Sequence, residues 1–424
     1  MLQLNVIREK KDFVLERLAI KNIDAASSLD KVLSLDADKR KKQTELEGLL
    51  AEQNNIAKQI GEMFRSGNKD RADELKAKSI QLKERSKILE EGVANAEVAI
   101  NDILVTLPNM PHTSVPAGKT PEENEVIYKS TESLPVLPDT AVPHWELTSK
   151  YDIIDFELGN KITGAGFPVY KGQGAKLQRA LINFFLDRAD KAGYYEVQPP
   201  ILINADSGYG TGQLPDKEGQ MYHVTGDGFY LIPTAEVPVT NMFRDEIVKA
   251  ESLPIKYTAY TPCFRREAGS YGAHVRGLNR LHQFDKVEIV QVAHPDTSYA
   301  ILEEMKDYVA SLLHELELPF RTLRLCGGDM SFASALTYDM EVWSAAQQRW
   351  LEVSSVSNFE TFQSNRLKLR YREGSAKPQL AHTLNGSALA LPRIVAAMLE
   401  NNQTPEGIKI PKALVPYTGF EWIK

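Results

Sequence analysis

Residues 263–290, CFRREAGSYGAHVRGLNRLHQFDKVEIV, concentrate four arginines, Arg265, Arg266, Arg276 and Arg280, among glycines at 269, 272 and 277. Glycine lets a backbone approach a ligand closely, and arginine offers phosphate a planar fork of donors. The pattern suits a hairpin that handles a polyphosphate. A surface hairpin laced with salt bridges has the same composition. Phe284 and Glu288 follow on what reads as the second strand, four residues apart and therefore on one face. The same count places Arg280 with them. An aromatic ring, an arginine and a carboxylate on one sheet face make a nucleotide floor beside a cation site, whereas a lone Phe284 would ordinarily be core.

Other chemistries find no footing. Gly208-Tyr209-Gly210-Thr211-Gly212 is not followed by Gly-Lys-Ser/Thr, and Gly172-Gln173-Gly174 lacks the third glycine and preceding strand of a dinucleotide site. There is no His-Glu-x-x-His, and eight scattered histidines without ligand spacing read as solvated or core residues. Cys263 and Cys326, the only cysteines, make neither a zinc framework nor a disulfide network, so no zinc is expected and a reducing cytosol suits them. No run of about 18 apolar residues is present, and the opening MLQLNVIREKKD predicts no signal peptide.

These residues need elements to hold them. With 424 residues, 25% charged and 42% hydrophobic, the chain predicts a soluble globular protein of two to three domains. Residues 36–92 differ from the rest, with 25 charged residues in 57, no proline and a single aromatic, Phe64. Steps of three and four link Leu46, Leu49, Gln53, Ile56, Ile60 and Met63, then Leu75, Ser79, Leu82, Ser86, Leu89, Val93, Ala96, Ile100 and Ile103. That spacing keeps one stripe on one helix face, the seam of a coiled coil. Between the series, RSGNKD at 65–70 can reverse the chain. The expectation is an antiparallel helical hairpin within one chain, with arms of about 30 residues reaching roughly 45–50 Å. Residues 1–30 predict a short helix or two at its base.

Seven prolines between 108 and 143 exclude a continuous helix. From about Trp145 the texture is mixed. Residues 173–192 read as an amphipathic helix ended by Gly193, and 194–198 as a strand stopped by Pro199-Pro200. Residues 257–264 and 286–292 read as strands about a polar loop, and 299–316 as a second helix. Strands that flank loops rather than alternate with helices predict an antiparallel sheet, and hence an α+β core. The expected boundaries are 1–107 for an N-terminal hairpin domain, its arm at about 36–104, then 108–144 for a proline-rich connector and 145–424 for the catalytic domain.

A formal net charge of −7, taken whole, argues against a nucleic-acid partner. Partitioned, residues 36–92 carry thirteen basic and twelve acidic side chains, a net +1 against −8 elsewhere. Lys39, Arg40, Lys41 and Lys42 cluster near one end, and Lys76, Lys78, Lys83, Arg85 and Lys87 lie along the second arm. Such an arm can reach phosphates and read shape; it can equally dimerise or act as a spacer.

The stretch 263–290 resembles motif 2 of class II aminoacyl-tRNA synthetases, Phe-Arg-x-Glu followed by a loop and a second strand. Its wording is similar to the bacterial type of seryl-tRNA synthetase in particular. GTGQLP at 210–215 and TAEVPVTN at 234–241 resemble that family's serine-site segments, LEVSSVSNFETFQSNRL at 351–367 its metal and ATP segment, and HTLNGSALALPR at 382–393 its motif 3. The helix and strand ending in Pro199-Pro200 resemble motif 1, the dimer element. Five segments in order, after a helical hairpin, cover essentially the whole chain. Motif 3 departs from the family wording, with Ala388 and Pro392 where glycines are usual, so the backbone there must accept a Cβ and a fixed φ.

The resemblance implies a serine–tRNA ligase acting in two steps, seryl-adenylate formation from ATP and then transfer to the 3′-terminal adenosine of tRNA-Ser, and of tRNA-Sec as well. It implies a cytoplasmic homodimer without membrane contact, the hairpin gripping the tRNA's long variable arm. By resemblance the catalytic residues are Arg265, Glu288 and Arg393. Arg265 holds the α-phosphate and the reacting carboxylate, Phe284 and Arg393 sandwich adenine, Arg280 takes the γ-phosphate, and Glu267 meets adenine or the tRNA end. Arg266, Glu352, Val353, Ser354 and Ser355 complete the ATP site, with Glu352 and Ser355 as ligands for Mg²⁺. The serine pocket is implied at Thr234, Ala235, Glu236, Arg265, Glu288, Asn385 and Ser387. A Ser-rich turn at 354–357 and a helix start at Thr234–Glu236 are the plainer readings of those segments. A class II ligase of other specificity, or a synthetase-like RNA-binding protein without catalysis, are the alternative readings.

Overall fold

In the structure, a computed structural model that describes residues 1–131, 133–216, 218–267 and 275–424, the heptad stripes become two long helices. The chain divides into two compact units, one of Leu2–Ala19 and Ile23–Pro108, the other of Met1, Ile20–Asn22 and Asn109–Lys424. The glycines at 269 and 272, named above in the arginine-rich loop, lie outside the described residues.

In the first unit, short helices α1 (Leu4–Glu9) and α2 (Lys11–Ile20) precede α3 (Ala26–Arg65) and α4 (Lys69–Leu104). At 40 residues α3 is about 60 Å long, longer than the spacing predicts, because it begins ten residues before residue 36. The seam position that hides this is Asp36. It is 2% exposed and neutralised by Arg8 at 3.1 Å and Arg40 at 3.0 Å, so a charge stands where a heptad reading expects an apolar residue. Leu29, Val32, Leu46, Leu49 and Ile56 on α3, and Ala72, Leu75, Ala96, Ile100 and Leu104 on α4, are buried. Gln53 Nε2 donates to the buried Ser86 Oγ at 2.5 Å across the pair, a polar contact that fixes register at a seam. The reversal uses Gly67 at φ +77°, and Asn68 caps α4 by accepting from the Arg71 N–H at 3.3 Å.

The second unit is built on an eight-stranded sheet. Its strands are β1 (Glu125–Lys129), β2 (Tyr195–Glu196), β3 (Ile255–Phe264), β4 (Gln283–Ala293), β5 (Phe320–Arg324), β6 (Leu336–Ser344), β7 (Arg349–Asn358) and β8 (His382–Ala390). They lie in the order β1-β5-β6-β7-β8-β4-β3-β2. All neighbours are antiparallel except β2, which joins β3 in parallel. Edge strand β1 comes from the proline-rich join, a strand that the join's composition does not announce.

Helices α5 (His144–Lys150), α6 (Gly172–Lys191), α7 (Glu236–Asn241), α8 (Ser298–Glu315) and α9 (Leu391–Asn401) surround the sheet. The apolar stripe of α6, Leu177, Leu181, Phe184, Phe185 and Ala189, is buried against it, each large side chain contributing about 1.5–3 kcal/mol. Gly193 at φ +81° then turns the chain into β2. Ile301, Leu302, Met305, Val309, Leu312 and Leu313 do the same for α8. Among the described residues, no helix is long and apolar enough to cross a membrane.

Candidate active site

Strand alternation puts Phe284, Lys286 and Glu288 on one face of β4. Register then supplies neighbours, with Phe284 opposite Cys263 and Glu288 opposite Ala259 on β3, and Glu288 opposite Ser387 on β8. Glu288 is 1% exposed yet fully engaged. Its Oε2 accepts from Thr234 Oγ1 at 3.1 Å, its Oε1 from Asn385 Nδ2 at 3.1 Å, and Lys286 forms an ion pair with it. Lys286 Nζ also donates to Thr234 Oγ1 at 2.8 Å. Lys286 is absent from the expected set. In sequence it is one more charge in a strand, and only its burial, 5% exposed, marks it as part of the site.

Glu236 lies in the same buried region and accepts from Gln363 Nε2 at 2.7 Å, while Gln363 accepts from Thr383 Oγ1 at 2.7 Å. Burial, then the neighbouring Glu288 charge, push the Glu236 carboxyl up to about 7, against the pull of Gln363, Lys286 and Arg265. Burial likewise raises Glu288, opposed by Lys286 and Thr234. α7 starts at Glu236, directly after Thr234 and Ala235. The Glu236 N–H does reach Thr234 Oγ1 at 3.3 Å as α7 begins, and Thr234, Ala235 and Glu236 are also buried towards Glu288.

Arg265, half-buried, donates from Nε to the Pro233 carbonyl at 3.3 Å and lays its guanidinium 5.3 Å from the Phe284 ring. Arg266 is exposed, its N–H bound to the Gln220 carbonyl at 2.9 Å. Glu267 sits at φ +49° and pairs with Arg280 at 3.2 Å. Arg280 precedes β4, which starts at Gln283, so strand alternation does not carry back to it. It reaches the site through the turn and that ion pair.

Two bulges set the remaining residues. In β7, Glu352 and Ser355 are three apart and in a regular strand would face opposite sides. Opposite Met340 and Glu341 of β6 the register steps from Ser354 to Glu352, making Val353 the extra residue, and such a bulge re-aims side chains. Glu352 and Ser355 thereby share a face with Glu341 and Asp339. Ser354 turns the other way and donates to the Ser387 carbonyl at 2.6 Å. In β8 the step falls between Ser387 and Ala390, which places Ala388 inside the bulge. Pro392 falls in the first turn of α9, where a missing N–H leaves nothing unpaired. The Cβ and fixed φ of motif 3 are accommodated this way. Arg393, on that turn, donates to the carbonyls of Glu352 at 2.7 Å and Asn279 at 3.0 Å, and lies 3.6 Å from the Glu352 carboxylate.

An oxygen set of this kind suits a hard divalent ion that keeps water and phosphate ligands. The Asp339 Oδ1 atom behind Ser355 is buried without a hydrogen-bond partner. Its carboxyl is held well above its usual range by burial and by Glu352. Asp339, Glu341, Glu352 and Ser355 thus gather oxygen atoms on one face, Arg321 pairing with Glu341 and Arg393 with Glu352, while among the described residues nothing bonds Asp339 Oδ1. The residues fit Mg²⁺ delivered with a phosphate ligand.

The comparisons with known proteins agree along the whole chain. The Seryl-tRNA synthetase N-terminal domain matches residues 1–111, and the tRNA synthetase class II core domain (G, H, P, S and T) matches residues 222–402. A serine–tRNA ligase of Salinibacter ruber is 51% identical over 99% of this chain and 98% of its own length. Seryl-tRNA synthetase from Pyrococcus horikoshii, solved with ATP, superposes with a TM-score of 0.93 at 34% identity, covering 100% of this chain and 99% of that one. The cytoplasmic serine–tRNA ligase of Naegleria fowleri, solved with AMP, gives 0.89 at 26% identity with the same coverage.

Proposed function

The chain belongs to the seryl-tRNA synthetase family, and from that premise we propose how its residues divide the reaction. Its activity is that of a serine–tRNA ligase: L-serine and ATP give seryl-adenylate and pyrophosphate, and the seryl group then passes to the 3′-terminal adenosine of tRNA-Ser. No protein nucleophile is needed, since the serine carboxylate attacks the α-phosphate and the tRNA ribose hydroxyl attacks the adenylate. What the protein contributes is alignment and positive charge where phosphate charge develops.

In this reading Arg265 bridges the α-phosphate and the attacking carboxylate. Phe284 and Arg393 hold the adenine between a ring and a guanidinium. Arg280 and Arg266 take the outer phosphates, Arg280 leaving Glu267 free for adenine or the tRNA end. Val353 and Ser354 supply backbone around the nucleotide. Glu352 and Ser355 hold Mg²⁺, which when bound neutralises phosphate charge. Thr234, Ala235, Glu236, Glu288, Asn385 and Ser387 enclose serine. The observation that carries the reading is the buried Glu288 carboxylate with Thr234, Asn385 and Lys286 on it. A pocket built from such groups rejects alanine, because its polar atoms would lose their partners, and rejects threonine by size.

Homodimer formation through the motif 1 segment belongs to the same proposal. It is supported by the exposure of Tyr195, at 70%, on the short edge strand β2. A cytoplasmic location and charging of tRNA-Sec complete it. ATP–pyrophosphate exchange measured with each amino acid in turn tests the core of it. Exchange should depend on serine, and exchange driven by another amino acid, or by none, overturns the assignment.

Glu236 gives a pH test. A carboxyl at about 7 is mostly protonated near pH 6 and must ionise to take the serine ammonium. KM for serine should therefore fall about tenfold between about pH 6 and about pH 8 while KM for ATP stays level. A flat serine KM removes Glu236 from the ammonium's partners. The stability contribution has the opposite sense. The folded pKa lies above the usual 4.5, so this stabilisation is full below 4.5 and is lost as pH rises through about 7.

A further inference from the structure

Away from the site lies a buried polar cluster that the reaction does not use. His144 at the start of α5, Ser344 at the end of β6 and Glu400 on α9 are each 0% exposed. Glu400 Oε1 accepts from the His144 backbone N–H at 2.9 Å, from His144 Nδ1 at 2.7 Å and from Gln347 Nε2 at 2.9 Å. Its Oε2 accepts from the Ser344 hydroxyl. Burial alone raises the Glu400 carboxyl, but the bonds from His144 and Ser344 outweigh it and hold it below the usual carboxylate range. Desolvating a carboxylate is unfavourable by several kcal/mol even when it is bonded, and an apolar side chain would fill the space without that penalty.

What the cluster delivers is aimed at one segment. The Leu278 N–H donates to His144 Nε2 at 2.8 Å, and Asn279 Nδ2 donates to Gln347 Oε1 at 2.8 Å. A backbone amide can only donate, so Nε2 carries no proton and Nδ1–H points to Glu400. The carboxylate thus fixes the tautomer that the loop needs. Gly277, at φ +68°, passes so close to His144 Nε2 that a Cβ there would overlap it. From the other side Arg393 Nε holds the Asn279 carbonyl at 3.0 Å, and Arg276 lies 4.8 Å over the Trp145 ring. The descending end of the arginine-rich loop, between Arg276 and Arg280, is thereby pinned at consecutive residues.

We propose that His144, oriented by Glu400, is a positioning residue for ATP: its Nε2 acceptor fixes the 276–280 turn so that Arg280 and Arg393 meet the nucleotide in register. This rests on the assignment of those two arginines to ATP. Two near-isosteric substitutions separate it from a packing role. His144→Gln places an oxygen acceptor near the Nε2 position and keeps the bond from Leu278. His144→Asn instead keeps a donor to Glu400 and leaves Leu278 unpaired.

Pyrophosphate exchange with the full-length protein, varying ATP and serine separately, reads the outcome. KM for ATP should rise about tenfold in His144→Asn with serine KM unchanged, and stay within about threefold of native in His144→Gln. If the two variants behave alike, if Asn is the milder, or if both KM values move together with the melting temperature, the positioning role is wrong. Arg280→Ala and Arg393→Ala, run beside them, keep the two ideas apart. A normal ATP KM in both arginine variants dismisses the ATP assignment itself, whatever His144 does.

Discussion

Arg265→Ala should cut serine-dependent pyrophosphate exchange by about 10²–10³-fold, the scale on which removing one preorganised donor to a developing charge is felt, while the protein keeps its fold. The guanidinium is positioned before any ligand arrives. Its Nε is tied to the Pro233 carbonyl, and its plane lies against Phe284 at 5.3 Å. Among the described residues no bond engages its terminal nitrogens, which are the groups a phosphate oxygen would meet. The backbone at Arg265 is held independently, its N–H bonded to the His282 carbonyl at 2.9 Å, so truncation leaves the strand pair standing. A half-buried arginine leaves no core cavity, and the melting temperature should not show the about 3–5 kcal/mol loss of a large core truncation. Arg265→Lys should recover little, because an ammonium cannot bridge two oxygens as the fork does. Exchange near the native rate in Arg265→Ala would refute the role.

The sequence carries the site in pieces and the fold in outline. Phe284 and Glu288 are legible because one strand with period two holds them, and β4 gathers them on the face that their spacing predicts, while Arg265, just past the end of β3, is legible only from the arginine-rich wording around it. Glu352 and Ser355 are not legible as a pair. Three residues apart in a strand they would diverge, and only the extra residue at Val353, visible in the register against β6, brings them together. Lys286 is hidden because burial, not residue type, makes it part of the pocket. His144 and Glu400 stand 256 residues apart, beyond any spacing rule, and a scattered histidine reads as core until its partner is seen. In the hairpin, the buried Asp36 conceals where α3 begins. Each miss has one physical source: a contact made across the fold that overrides a local pattern.

Replacing residues 41–94 with a short flexible linker should leave serine activation intact and lower seryl-tRNA formation by about 10²-fold or more. The excision keeps the base of the hairpin. Asp36 retains Arg8 and Arg40, Lys39 still reaches Glu97 at 2.6 Å, and Leu29, Val32, Ala96, Ile100 and Leu104 remain to bury one another. None of the residues assigned to serine or ATP is removed, so exchange with serine should run at the native rate.

The excision does remove Lys41, Lys42 and the basic side chains set along the second arm. Lys78 pairs with Glu52 at 2.6 Å, Lys76 with Asp73 at 3.0 Å, and Arg85 with Glu45. These are exposed pairs, worth about 0–1 kcal/mol each, so exchanging a carboxylate for an RNA phosphate sacrifices little. Lys41, Lys83 and Lys87 make no ion pair among the described residues and need not exchange at all. Two or three charge-assisted phosphate contacts, at about 1.5–3 kcal/mol each, account for the expected loss. The loss should be largest at low salt, where such contacts are strongest. Should the shortened protein charge tRNA-Ser at the native rate, the arm is a spacer or dimer element and the tRNA grip lies elsewhere. Should exchange fall together with charging, the arm supports the fold of the catalytic unit instead.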